Sequence, residues 1–426
     1  MKHSTFQLFN LSTAAAIAFA IAMPAFADMT VTDVTARQRW PWNSLVDVDF
    51  TIAGGAAGEK CAIGITATCK GGAQTLTAKT YATEPVATNG ANRVVWNLGA
   101  DYPDLVAKDL RVSVTAAPLT ETSPIYLVVD VSDGADAESW PVRYTTEEPA
   151  HTVGEADACK TTEIWLKRVK AGTFSSSYKN SGASTYSSYT CTLTNDFYLG
   201  IFPVTQAQCF NLTGDYMSSF TNAEFRATRP ANSITLGALQ DPAFDAADPA
   251  LSIRSFSSTC ILGRLRDRTG LGFLVPTEWQ WEYACRGGET LGSNYRYPNC
   301  QYRGPKDDYT PPTDYEWKDE SGMWDARYGT AYVDQSIPNA WGFYDMVGNV
   351  WEWSLNKMAT ITAGDTLMEP LGPAGFGGNR TAKGVAWSFS NQSTDFQIRN
   401  HATARGRDYA TNIHGVRLCL PVWNVR

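Results

Sequence analysis

Apolar and polar residues alternate with a period of two through MTVTDVTARQRW (29–40), SLVDVDFTI (44–52), CAIGITATC (61–69), RVVWNLG (93–99) and LRVSVTA (110–116). Gly and Pro clusters separate these runs, so each predicts a short strand that ends in a turn. In the second run, Leu45, Val48, Phe50 and Ile52 stand against Asp47 and Asp49. That is the pattern of a strand with one face in a core and the other in water, though the alternation is imperfect. A further strand, PIYLVVDVS (124–132), precedes DGADAESWPVRYTTEEPA (133–150), whose Asp, Gly, Glu and Pro content predicts a linker.

The strand pattern of residues 28–118 predicts an all-β sandwich of immunoglobulin or fibronectin type. This stretch holds no His, no Gly-rich phosphate loop and no carboxylate pair in a catalytic spacing, and it reads as a spacer or docking module. From Thr161 the texture changes to helix and strand mixed with loops rich in Gly, Asn, Trp and Tyr. The run LVPTEWQWEYACRGG (274–288) predicts a helix in which Thr277 is the cap, Glu278 occupies the first turn and Gly287-Gly288 is the stop. The whole is an α+β chain: residues 1–27 a leader, 28–118 a sandwich, 119–160 a strand and linker, and 161–426 a mixed domain.

The leader has Lys2 before an apolar stretch from about Leu11 to Ala22, then Ala25-Phe26-Ala27. Those are the parts of a secretory signal peptide. The stretch is shorter than the roughly 20 residues a spanning helix needs. The expectation is a secreted or periplasmic protein with no membrane span, and no Cys follows the cleavage site to carry a lipid. Charge changes the picture in one respect. The chain carries −8, and residues 1–27 contribute one Lys and no acid, so the remainder carries −9 and makes a poor nucleic-acid partner.

Aromatic residues make up 12% of the chain against 18% charged, so large rigid side chains carry much of the packing, and they also suit carbohydrate or peptide grooves. Nine cysteines in an exported chain predict disulfides, and the odd count leaves at least one thiol unpaired. Cys61 and Cys69, eight residues apart, are candidates for a local bridge; the other pairings are not legible.

Five segments together carry a resemblance. KRVKAGTF (167–174), NDFYLGIFPVTQAQCFNLTG (195–214), FLVPTEWQWEYACRGG (273–288), NAWGFYDMVGNVWEWS (339–354), and RTAKGVAWS (380–388) with HGVRLCL (414–420) follow one another in the order and character of the sulfatase-modifying-factor family. The family contains the formylglycine-generating enzymes. The resemblance covers about 161–421 and implies a C-type-lectin-like fold.

Family enzymes bind copper(I) through two cysteine thiolates shortly after a Gly-Gly-Ser-(Tyr/Trp) turn and oxidise a substrate Cys; soft thiolates are the requirement. Here the turn is Gly384-Val385-Ala386-Trp387, and SFSNQSTDFQIRNHATARG follows with no Cys. Copper is therefore not expected, and no catalytic residue is assigned. His401 and His414 could meet Asp395 or Asp408 in acid–base or iron chemistry, but a surface or hydrogen-bonded loop histidine is the plainer reading.

DMVGNVWE (345–352) places two carboxylates seven residues apart across a Gly-Asn turn, and hard oxygens suit Ca²⁺. The resemblance implies the ligands Asp345, Gly348, Val350 and Glu352. The run 387–409 stands where the family grips its substrate. It is expected to bind an extracellular peptide, protein or glycan, with Trp387 as floor and Asn391, Arg399 and Arg405 as polar contacts. The leading expectation is a non-catalytic binding or structural module. The alternatives are an oxidase with a relocated metal site and a lectin-fold ligand-display protein.

Overall fold

A computed structural model of the chain describes residues 29–39, 43–56, 58–179, 183–220, 226–239, 257–288, 330–334, 338–357, 360–368, 380–386, 401–405 and 411–422, with backbone alone at 357 and 401–405. The leader, Cys300 and residues 387–400 and 406–410 lie outside the described residues.

The N-terminal part is built from β1 (Thr30–Gln38), β2 (Leu45–Ala53), β3 (Cys61–Cys69), β4 (Gln74–Thr77), β5 (Thr80–Tyr81), β6 (Val86–Ala87), β7 (Gly90–Asn97) and β8 (Arg111–Pro118). One sheet carries β1, β2, β7 and β5 in that order, while β3 pairs with β4, β6 and β8 in another. Val48, Phe50 and Ile52 of β2, Val94 and Trp96 of β7, and Ile63, Ile65 and Ala67 of β3 join one buried apolar core. The period-two pattern thus places its apolar face as expected. Asp47 breaks the pattern, being 6% exposed, and is kept there by a 2.8 Å ion pair with Arg39.

The expected Cys61–Cys69 bridge does not form. The two residues are the first and last of β3, and eight residues of extended chain separate their backbones by roughly 26 Å. Disulfide geometry allows at most about 7 Å between Cα atoms. Both thiols are free and buried, as are Cys159, Cys209 and Cys285.

Residues 119–160 contain β9 (Tyr126–Asp130) and β10 (Val142–Thr145). The second lies inside the run expected to be a linker. It pairs with β5 on one side, Tyr144 opposite Tyr81, and with β9 on the other, Tyr144 opposite Leu127. Trp140 is anchored too, its backbone N–H donating to Arg268 O at 3.0 Å and its ring lying 4.8 Å below the Arg268 guanidinium. Arg168 pairs with Glu84 at 2.7 Å and Asp196 at 2.9 Å, and Lys60 reaches Asp196 at 3.1 Å. The N-terminal strands therefore continue into the following domain through hydrogen-bonded sheet and buried charge.

That domain contains β11 (Glu163–Val169), β12 (Gly172–Tyr178), β13 (Ser187–Leu193), β14 (Phe197–Gly200), β15 (Trp351–Lys357), β16 (Asp365–Met368), β17 (Arg380–Lys383), β18 (His401–Arg405), β19 (His414–Gly415) and β20 (Cys419–Pro421). The nine-stranded sheet runs β1-β2-β7-β5-β10-β9-β11-β14-β20, and β12-β13-β16 and β18-β17-β15-β19 are smaller sheets. The few helices include Gln206–Thr213, Ile261–Thr269 and Glu278–Arg286. The chain is α+β and mostly sheet. Trp279, Trp281, Trp353, Phe343, Phe197 and Tyr198 are among its largest fully buried side chains.

Candidate functional site

The Glu278–Arg286 helix forms where the sequence places it. Thr277 accepts from the Gln280 N–H while the Gln280 side chain returns to the Thr277 backbone, and Gly287 closes the helix at φ 59°. Both ends are thus fixed locally. Every residue of this helix is buried, including two acids one turn apart.

Glu282 accepts at Oε1 from Ser176 Oγ (2.5 Å) and Arg286 Nη2 (2.6 Å), and at Oε2 from Lys383 Nζ (3.1 Å). Burial pushes its carboxyl up, but Lys383 and Arg286 outweigh that and hold it below the usual range. Glu278 has poorer company. Asn356 Nδ2 donates to its Oε1 at 2.6 Å, and Oε2 is buried with no hydrogen-bond partner. Burial dominates here and raises the Glu278 carboxyl to about 7, against the pull of Lys383 and Asn356.

The four expected calcium ligands occupy one turn. Asp345 (φ 51°) and Asn349 (φ 67°) hold left-handed backbone there, with Gly348 at φ 100°. Gly384 is required beside them: a Cβ at that position would stand 3.2 Å from Met346 O and 3.3 Å from Val350 O. Asp345 Oδ2 accepts from the Asp334 N–H at 3.0 Å. Glu352, however, is turned to another partner. Its carboxylate takes Arg417 Nε at 2.9 Å and Nη2 at 2.8 Å, and the Trp281 indole N–H at 2.6 Å. Both charged side chains are 0% exposed.

The oxygens around 345–352 are of the hard kind calcium takes, but the second carboxylate already has a buried cation. Without it the expected set falls to three donors, short of the roughly six to eight that calcium needs. The Glu352 carboxylate as placed does not fit a free calcium ligand. Arg417 and Trp281 were missed as its partners because they lie 65 and 71 residues away in sequence.

For copper the donor set does not fit either. Ala386 and Val385 are buried at the turn, and no residue of 387–409 is Cys. Cys419 is buried in β20 and its thiol meets Gln280 Oε1 at 3.8 Å. Among the described residues, no three of His, Cys, Asp and Glu converge as a metal group. Trp387, Asn391 and Arg399 lie outside the described residues. Arg405 ends β18, with Arg380 opposite it in β17. His414 is hydrogen-bonded, its Nδ1 2.6 Å from Thr411 Oγ1, but it is buried in β19 rather than in a loop, stacked on Trp353 with ring centroids 4.7 Å apart.

A third buried cluster had no sequence signal. Lys160 Nζ donates to Asp334 Oδ2 at 2.6 Å, His151 Nδ1 lies 3.0 Å from the same oxygen, and Tyr344 OH meets His151 Nε2 at 3.2 Å. It ties the segment before β11 to the loop before 345.

These features together define a sheet-rich α+β domain with an internal charged spine. Residues 154–420 match the Sulfatase-modifying factor enzyme 1-like domain, so the chain belongs to that family. It is similar to the formylglycine-generating enzyme of Bos taurus, 35% identical over 123 residues, which is 28% of this chain and 31% of that protein. The chaperone protein LppX of Paenibacillus barcinonensis is 28% identical over 214 residues, 44% of this chain and 70% of that one. The inactive C-alpha-formylglycine-generating enzyme 2 of Bos taurus is 35% identical over 96 residues, 20% of this chain and 27% of that one. The chain thus spans about a third of the length of the formylglycine-generating enzyme it matches. Among solved structures, Treponema denticola variable protein 1 aligns over 64% of this chain and 98% of its own, with a TM-score of 0.43 and 20% identity.

Proposed function

We propose that this protein is an exported, non-catalytic member of the family, in which the sulfatase-modifying-factor-like domain works as a binding module behind an N-terminal sandwich of immunoglobulin or fibronectin type. The observation that carries the reading is chemical. The stretch after Trp387, where the resemblance places two thiolates, has exchanged sulfur for amide, hydroxyl and guanidinium groups that bind without reacting. The ligand is an extracellular peptide, protein or glycan held by Trp387, Asn391, Arg399 and Arg405. Loss of a specific ligand from a glycan and peptide array in a folded Trp387→Ala protein supports this site; unchanged binding refutes it.

Calcium at the 345–352 turn is a separate proposal. Asp345 and the carbonyls of Gly348 and Val350 would hold the ion, and Glu352 would join only by sharing its carboxylate with Arg417. Metal analysis of the purified protein decides it: about one equivalent of calcium supports the site and its absence removes it.

A further inference from the structure

In the sheet β12-β13-β16, β12 pairs with β13 along its whole length, from Gly172 opposite Leu193 to Tyr178 opposite Ser187. Among the described residues no strand takes its other edge. In an antiparallel ladder, alternate residues turn both backbone groups away from the partner strand. Alternate residues of 172–176 therefore offer N–H and C=O to an open edge. Natural edges are guarded by proline, charge or a bulge. β12 reads Gly-Thr-Phe-Ser-Ser-Ser-Tyr, without proline or charge, and its register with β13 is unbroken.

A cleft of about 1030 Å³ lies against Thr173–Ser176 and the C-terminal end of the Glu278–Arg286 helix. The two faces of β12 differ there. Thr173 and Ser175 are exposed on the outer face, their hydroxyls bonded to Thr192 and Thr190 of β13. Phe174 and Ser176 are buried on the inner face, where the Phe174 ring centre is 5.7 Å from that of Tyr283, which meets Trp341 at 5.0 Å. A strand added here has water on one side and an aromatic wall on the other.

The ligand that matches such an edge is extended polypeptide, with donors and acceptors spaced at about 3.3 Å per residue and side chains alternating to suit the two faces. Glu121, Thr122, Ala340 and Trp341 also line the cleft, so the edge is recessed. A single segment reaches it, whereas the β12 of a second copy, recessed in the same way, does not. Charge specifies the ends of that segment. Glu121 and Asp365 line the cleft half-buried, and neither has an ion pair among the described residues. Arg286 keeps positive charge at the helix end, because Lys383 shares its Glu282 counter-ion. Basic residues therefore fit beside the two acids and neutral ones over the helix.

We propose that the open edge of β12 accepts a further strand from a partner protein: an extended segment with apolar side chains toward Phe174, Tyr283 and Trp341 and a basic residue at each end for Glu121 and Asp365. The site is independent of the 387–409 groove. It uses other residues, and either can fail alone.

The test is fluorescence anisotropy and hydrogen exchange on the full mature chain with a labelled heptapeptide, Lys-Val-Thr-Val-Thr-Val-Lys. Two further versions carry N-methyl groups on alternate amides, and so block one edge of the peptide or the other without touching the protein. The unmodified peptide should bind with a Kd below about 1 mM and slow exchange in the segment spanning 172–176. One methylated version should bind at least about tenfold more weakly and the other unchanged, since only one edge of the peptide pairs. Glu121→Lys should weaken binding by about fivefold while melting as the wild type does. The proposal is overturned if both methylated peptides bind alike, if the added protection falls in 387–409 instead, or if no binding is seen at about 1 mM. It is overturned equally if 172–176 are protected without peptide in a chain that light scattering shows to be a dimer, which would give the edge to a second copy.

Discussion

Replacing Glu278 by Gln should change how stability depends on pH. The Glu278 carboxyl is raised from 4.5 to about 7 by burial, with Oε2 left without a partner. A raised acid binds its proton more tightly in the folded state. Its contribution to stability is therefore fully present below about pH 4.5 and is lost as pH rises through about 7. At about 1.4 kcal/mol per unit, the loss across that window is on the order of 3 kcal/mol. Gln keeps the Oε1 bond from Asn356 and carries no charge, so it cannot pay that cost. With about 2.1 cal/mol/K per residue over roughly 270 residues, 3 kcal/mol corresponds to about 5 °C in Tm. The assay is thermal unfolding of both proteins from pH 4.5 to 8.5. Wild type minus variant should grow less favourable by about 5 °C between the ends of that range. Parallel curves would refute the burial argument.

Three further outcomes follow from the same packing. Glu352→Gln strands Arg417 in the core without its counter-charge, so stability should fall by about 3–5 kcal/mol, equally with calcium and with chelator. A loss seen only with calcium present would give the carboxylate to an ion instead. Deleting residues 28–118 bares the β10 edge that pairs with β5, so the remaining chain should aggregate in light scattering; a monodisperse fragment with an unchanged Tm would contradict the continuous sheet. Glu282→Gln weakens the anchor shared by Ser176, Lys383 and Arg286 and should cost at least about 2 kcal/mol in denaturant unfolding, where an unchanged midpoint would count against the spine.

The sequence made local features legible and hid the distant ones. The strands from β1 to β3 and the Glu278–Arg286 helix follow from period and capping, which neighbours in the chain determine. β10 was hidden because Pro141 precedes it and Gly134 and the Asp/Glu run surround it, and these turn residues outweigh four strand residues in any short window. What makes it a strand is its pairing with β5 and β9, 63 to 65 and 13 to 19 residues earlier by register. The site divides in the same way. The absence of Cys from 387–409 is written in the chain, whereas the pairing of Glu352 with Arg417 and of Lys160 with Asp334 exists only once the fold brings them together.

The reading of the protein as a binder rather than an oxidase is tested most directly by incubating the purified mature chain with a sulfatase-type peptide containing Cys, under oxygen and after loading with Cu(I), and following the peptide by mass spectrometry. The account predicts that the Cys stays unconverted with and without copper. Formylglycine that appears only with both copper and oxygen would contradict it and place a working thiolate pair elsewhere in the chain.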